Sequence, residues 1–121
     1  MNKGSIANSY FENGFIYFQK NMYNVLTYYL NSITFINNTS YRGTFMYIEN
    51  NPYMGSPSFS FNNIKFINNK AENFGGVLYS EVRNYGLGFI NFENCSYENN
   101  TALLGKFQKY FIFNNNDKIY Y

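Results

Sequence analysis

Residues 64–81 read IKFINNKAENFGGVLYSE, two short apolar runs around a polar segment, the first closed by Asn-Asn and the second opened by Gly-Gly. In IKF, a period of two places Ile64 and Phe66 on one face and Lys65 on the other, the alternation of a half-buried strand. Asn68 and Asn69 mark a turn, because asparagine tolerates left-handed backbone angles and its amide can bond nearby or stacked backbone groups. Gly75 and Gly76 allow a positive φ, or close approach of another backbone, on entry to the second strand. A phosphate cradle would need a helix after the glycines, and VLYSE does not read as one.

The stretch recurs. ITFINNTS at 33–40, IKFINNKA at 64–71 and INFENCSY at 90–97 share Ile-x-Phe-x-Asn, at offsets of 31 and 26 residues. A second column, NGFIY at 13–17, GTFMY at 43–47, GGVLY at 75–79 and a degraded LGKFQ at 104–108, recurs at offsets of 30, 32 and 29. Each run is too short for a helix and is bounded by Asn or Gly, so both columns read as strands. Repeats of this length signal solenoids, propellers or arrays. The Trp or Asp signatures of propeller blades, the spaced leucines of leucine-rich repeats and helical periodicity are missing, which leaves an all-β parallel β-helix of about four coils. The expected repeats are 5–32, 33–63, 64–89 and 90–121 of a single domain. Each coil would hold three short strands, the third drawn from VLTYYL (25–30), FSF (59–61) and GLGF (86–89), while NPYMGSPS (51–58), with both prolines, would be a surface loop. On this alignment Ile33, Ile64 and Ile90 form one interior column, Phe35, Phe66 and Phe92 another, and Asn37, Asn68 and Asn94 stack at one turn.

Composition narrows the functional classes. The chain has 121 residues, a net charge of +2 and 13% charged residues, so its surface is polar through amides and hydroxyls, and nucleic acid is not an expected partner. Asn, Tyr and Phe dominate, a bias that codon usage in an A/T-rich genome explains in part. Histidine is absent and Cys95 is the sole cysteine, which excludes an internal disulfide and the usual thiolate or imidazole metal sites. The first thirty residues do not have the layout of a secretory signal, and no apolar run is long enough for a transmembrane helix. The repeats read as a piece of a longer helix, with flanking coils to stack on.

F-x-x-N, as in FINN at 35–38 and 66–69, followed by G-G-[AV]-[IL], as in GGVL at 75–78, resembles the repeat of the chlamydial polymorphic outer membrane proteins. Related right-handed parallel β-helix repeat proteins occur in protists and anaerobic fungi with similar Asn- and Tyr-rich composition. The resemblance covers roughly residues 8–108. Two copies depart from it, with Gly43-Thr44 in place of Gly-Gly and Cys95 in place of the second Asn. It implies a right-handed β-helix with a pectin lyase-like fold, secreted or on the cell surface. The implied role is adhesion or structural presentation to a glycan or surface protein, without a shared catalytic site.

Because β-helices also serve as pectate lyases and polygalacturonases, a piece of a carbohydrate-active enzyme is the alternative. That chemistry needs paired or clustered carboxylates. Glu12, Glu49, Glu72, Glu81, Glu93, Glu98 and Asp117 are scattered, with Glu72 and Glu98 both expected after the Asn turn and Glu81 beyond the second strand. No catalytic, cofactor or metal residue is assigned, and the G-G-x-G-x-D repeat of calcium-binding β-rolls does not occur. Arg42 and Arg83 read as surface residues in turns. Cys95 reads as a packed thiol, since no histidine could activate it. Sequons at Asn37, Asn38, Asn94 and Asn99 are glycosylation candidates, at a number chance alone would produce. In GFIYF, Phe15 and Tyr17 should face one way and Ile16 and Phe18 the other, so loops cover the outer aromatics or a row of them is exposed for stacking.

Overall fold

The computed structural model describes residues 3–19, 27–49, 58–81, 90–103, 111–113 and 119–120. Among them there is no helix, and the strands form four sheets visited in a fixed order. A first winding contributes β1 (Gly4–Ala7), β2 (Tyr10–Phe11), β3 (Ile16–Phe18) and β4 (Thr27–Asn31). A second contributes β5 (Ile33–Ile36), β6 (Thr39–Arg42), β7 (Met46–Ile48) and β8 (Ser58–Asn62). A third contributes β9 (Lys65–Ile67), β10 (Lys70–Phe74), β11 (Leu78–Ser80) and β12 (Ile90–Glu93), and a fourth begins with β13 (Ser96–Glu98) and β14 (Thr101–Ala102). From the first winding to the third every strand pairs in parallel with its counterpart in the next, and β9 and β10 continue in parallel to β13 and β14.

A winding therefore has four strands rather than three. The strand missed in the sequence is β6 and β10, hidden in the polar segments TSYR and KAENF. Its inward residues, Ser40 and Ala71, are fully buried but small, so they leave no hydrophobic signal. The third repeat is also registered differently. Ile90 and Phe92 pair with Phe59 and Phe61 in the fourth sheet, while Phe35 pairs with Phe66 and Phe66 with Tyr97 in the first. Ile90–Glu93 thus completes the third winding instead of opening a fourth repeat, and Tyr97, not Phe92, continues the Phe35 column. The segment GLGF at 86–89 and the degraded copy at 104–108 lie outside the described residues, as do residues 51–57 of the proline loop.

The third sheet ends differently from the others. β15 (Phe111–Phe113) pairs with β11 in antiparallel sense, and β16 (Ile119–Tyr120) pairs antiparallel with β15. The strand following β11 in this sheet is therefore not a fourth parallel copy of GGVLY.

The interior holds Phe18, Phe35, Phe45, Phe59, Phe61, Ile64, Phe66, Met46, Ile48, Val77 and Leu78 in one cluster. Phe45 is its hub, with its ring centroid 4.9 Å from Phe66, 5.0 Å from Phe61 and 5.3 Å from Phe35, all edge-on. Edge-to-face geometry aims the positive ring edge at the negative face of a neighbour, which adds to the burial of each ring. Phe15 joins this side, 6.0 Å from both Phe35 and Phe45, so it does not share the outward face of Tyr17.

Among the described residues, three kinds of corner hold the windings. Ser32, Asn63 and Asn94 have φ of 59, 54 and 53° at the corner that opens the first sheet. Asn8, Asn37, Asn68 and Asn99 have φ of 53, 54, 52 and 52° at the corner that closes it. The stacked asparagines are therefore Asn37, Asn68 and Asn99, while Asn94 belongs to the other corner. Before the third sheet, Gly14, Gly43 and Gly75 take φ of 81, 47 and 63°. A Cβ on Gly75 would collide with the Leu78 carbonyl oxygen, so glycine is required there by contact as well as by conformation.

Candidate functional site

Two periodic constructions and one groove concentrate the polar chemistry. The first construction is buried. Asn38, Asn69 and Asn100 each follow a left-handed Asn and turn their side chains inward, with 0%, 0% and 1% of their surface exposed. The Asn69 Oδ1 accepts from the Asn38 backbone N–H at 3.0 Å and from Asn38 Nδ2 at 3.2 Å. Asn69 Nδ2 donates back to the Phe35 carbonyl at 2.9 Å and forward to Asn100 Oδ1 at 2.9 Å. Asn100 Nδ2 donates to the Phe66 carbonyl and Asn38 Nδ2 to the Ile6 carbonyl, each at 2.9 Å. In the first winding Ser9 donates its N–H to Asn38 Oδ1 but turns its hydroxyl to the Ala7 carbonyl, so the side-chain ladder starts at Asn38.

The second construction lies on the outer face of the third sheet. Tyr17, Tyr47 and Tyr79 stack with centroids 5.2 and 5.5 Å apart and planes 6° apart. Phe74 stacks on Tyr79 at 4.8 Å. Tyr47 and Tyr79 are only 1% and 3% exposed and Tyr17 is half-buried, so this outer aromatic row is covered from Tyr47 onward. Tyr47 donates its hydroxyl to Glu81 at 2.8 Å, and Tyr17 donates to Glu49 at 3.1 Å. Arg42 Nη1 donates to the Tyr47 hydroxyl at 2.9 Å and lies 3.9 Å from Glu81, while its guanidinium sits over the rings of Tyr41 and Tyr47. Burial, and then the hydrogen bond to the Glu81 carboxylate, push the Tyr47 phenol far above its ordinary value. Burial and Glu49 push Tyr17 in the same direction. These phenols are held as neutral donors, and the sequence reading of Arg42 as a solvated turn residue gives way to a guanidinium stacked on two rings at the end of β6.

The groove opens at the corner before the first sheet. It has a volume of about 280 Å³ and is lined by Lys3, Ser32, Ile33, Thr34, Asn63 and Lys65. Ser32 and Asn63 are stacked corner residues, with Ser32 N–H donating to the Asn62 carbonyl at 3.0 Å. Thr34 and Lys65 are register partners facing outward from β5 and β9. The lining thus draws on three successive windings, and it carries two ammonium groups and no acid. Neither lysine has an ion-pair partner among the described residues. The sequence reading missed this groove because its first repeat began at residue 5 and left Lys3 out. Counting from the left-handed corners would have set Lys3 beside Ser32 and Asn63.

The candidates from the sequence are dispersed. Asn37, Asn94 and Asn99 are exposed in the left-handed conformation, whereas Asn38 is fully buried and its amide is committed to the ladder. Glu72 lies on β10 and Glu98 on β13, in different sheets, so they do not share the column expected of them. Cys95 is half-buried against the core, its thiol 3.5 Å from the Phe61 carbonyl. Arg83 and Asp117 lie outside the described residues. Among the described residues no three His, Cys, Asp or Glu are grouped to hold a metal ion, and no helix is long and apolar enough to cross a membrane. No family model matches the chain, and no curated protein and no solved structure matches it.

Proposed function

We propose that the chain is a non-catalytic right-handed parallel β-helix module that presents its outer faces to a glycan or surface protein, in an extracellular or cell-surface setting. The observation that carries this reading is the use made of the charged and phenolic side chains along the outer face of the third sheet and its flanks. Tyr17 bonds Glu49 and Tyr47 bonds Glu81 between windings, with Arg42 on the Tyr47 hydroxyl and beside Glu81, so these acids are engaged by partners within the stack. They act as outer clamps on the stack, complementing the buried amides inside. The resemblance to polymorphic outer membrane protein repeats supports the handedness, the location and the stacking of further windings on this one.

The test is a glycan array with a pull-down against whole cells, using the purified chain. Binding above background to a defined glycan or surface protein is the expected result. Turnover of pectin, alginate or a related polyuronate, lost on Glu72→Gln or Glu98→Gln substitution, would replace the adhesive reading by the enzymatic one.

A further inference from the structure

We propose that the groove at Lys3, Ser32, Thr34, Asn63 and Lys65 is a binding site for a single acidic sugar residue, a monosaccharide-sized ring bearing a carboxylate. The proposal deepens the surface-module reading and rests on it only for the premise that the outer faces meet glycans. Three features of the groove set the ligand class.

Charge comes first. Two lysines contributed from windings one and three flank the groove, with no acid in its lining. Lys65 stands in register with Thr34 and Ser5, so its backbone is two inter-strand steps across and two residues along from Lys3, about 12 Å, a span over which two extended side chains can converge on one carboxylate. Hydrogen bonding to an ionised acceptor is stronger than between neutral groups, so the acid function is where most of the selectivity would reside.

The neutral lining comes second. Thr34 brings a hydroxyl to the groove; the Ser32 hydroxyl and the Asn63 amide both donate to Asn31 Oδ1, at 3.1 and 3.3 Å, which fixes them and leaves the Ser32 oxygen to accept and the second Asn63 N–H to donate to sugar hydroxyls. Ile33 adds an apolar surface, on which the C–H face of a sugar can rest. An inorganic anion would use the lysines and leave this remainder idle.

Size and rigidity come third. A volume of about 280 Å³ stands at the lower bound for small-molecule pockets, which fits one ring and not an extended chain. Ser32 and Asn63 are held in left-handed corners by backbone bonds to the neighbouring windings, Ser32 to Asn62 and Asn63 to Glu93, each at 3.0 Å. The polar groups are thus set on the ends of paired strands and need little ordering on binding.

The experiment is a titration of the whole isotope-labelled chain, followed by amide chemical shifts, with methyl glucuronoside, methyl glucoside and acetate. The expected result is a saturable shift of Ser32, Thr34, Asn63 and Lys65 with the glucuronoside. Binding of the glucoside and of acetate should each be about tenfold weaker or more, the glucoside through loss of the charge-assisted contacts and acetate through loss of the ring's contacts. Lys3→Gln and Lys65→Gln should each weaken the glucuronoside while leaving the circular dichroism spectrum unchanged. Thr34→Val, which keeps both charges, should weaken the glucuronoside and leave acetate unaffected. Equal binding of glucuronoside and glucoside would overturn the proposal by removing the acid requirement. Equal binding of glucuronoside and acetate would overturn it by removing the sugar, and absence of shifts at these four residues would remove the site. Adhesion seen on the array alongside any of these negative titrations would leave the surface-module reading standing and discard only the groove.

Discussion

The corner that opens the first sheet and the corner that closes it share a backbone conformation and bury opposite chemistries. At the opening corner, left-handed Ser32, Asn63 and Asn94 are followed by Ile33, Ile64 and Cys95, which turn toward the aromatic core. At the closing corner, left-handed Asn37, Asn68 and Asn99 are followed by Asn38, Asn69 and Asn100, which form the amide ladder. The left-handed residue makes the bend, and the residue after it decides whether windings are joined by packing or by hydrogen bonds. The two solutions are not interchangeable. An amide in the ladder satisfies an N–H and a carbonyl of the preceding winding and bonds the next amide of the ladder, while an amide at the opening corner would face phenyl rings.

Exchanging the two chemistries breaks the comparison most severely. Asn69→Leu orphans the Asn38 N–H, at about 1–3 kcal/mol, and removes the amide's further bonds to the Phe35 carbonyl, Asn38 Nδ2 and Asn100 Oδ1, at about 0.5–1.5 kcal/mol each, so a loss of about 4 kcal/mol is expected. Ile64→Asn loses a fully buried aliphatic side chain and buries an unpartnered amide, which costs a similar amount. Urea midpoints at constant m-value measure both, and a midpoint unchanged by either substitution would show that the corners are not specified by these side chains.

A smaller effect sharpens what the corners share. Asn63→Ala and Asn68→Ala each place alanine at positive φ and should cost about 1–2 kcal/mol. The corresponding glycine variants should stay within about 0.5 kcal/mol of the parent, because glycine accepts the conformation without strain. The two positions should respond alike, in contrast to their successors. A different ranking at 63 and 68 would mean that the exposed amides, and not the backbone, carry the corner.

The smallest effect separates the inner ladder from the outer clamps by pH. The Tyr47 phenol is raised in the folded chain, so its contribution is fully present below its ordinary value of 10.0 and is lost as pH rises beyond that. Tyr17 adds in the same sense. Stability should therefore decline above pH 10, and Tyr47→Phe should flatten the decline. The asparagine ladder carries no titrating group, and Asn69→Leu should leave the alkaline slope as it is.

The pair of corners also explains how far the sequence could be read. Phe61-Asn62-Asn63 and Phe92-Glu93-Asn94 carry the same Phe-x-Asn signature as Phe35-Ile36-Asn37 and Phe66-Ile67-Asn68, because each is an inward aromatic two residues before a left-handed bend. Local pattern cannot distinguish them, so it aligns Phe92 with Phe66 at an offset of 26, where pairing puts Tyr97. Glycines were easier. Gly43 and Gly75 stand before strands of obvious alternation, and their positive φ follows from what only glycine tolerates.

Short apolar alternation, left-handed asparagines and a spacing of about thirty residues were enough to determine strands, bends and a parallel stacked architecture, because each depends on local stereochemistry repeated along the chain. The number of sheets, the sheet to which Ile90–Glu93 belongs, the burial of Asn38, Asn69 and Asn100, and the covering of the tyrosine row were decided only by tertiary structure. So was the groove that draws Lys3 to Lys65. These depend on which windings lie beside one another, and a residue's partner across a parallel pairing is some thirty positions away, beyond the reach of any local pattern.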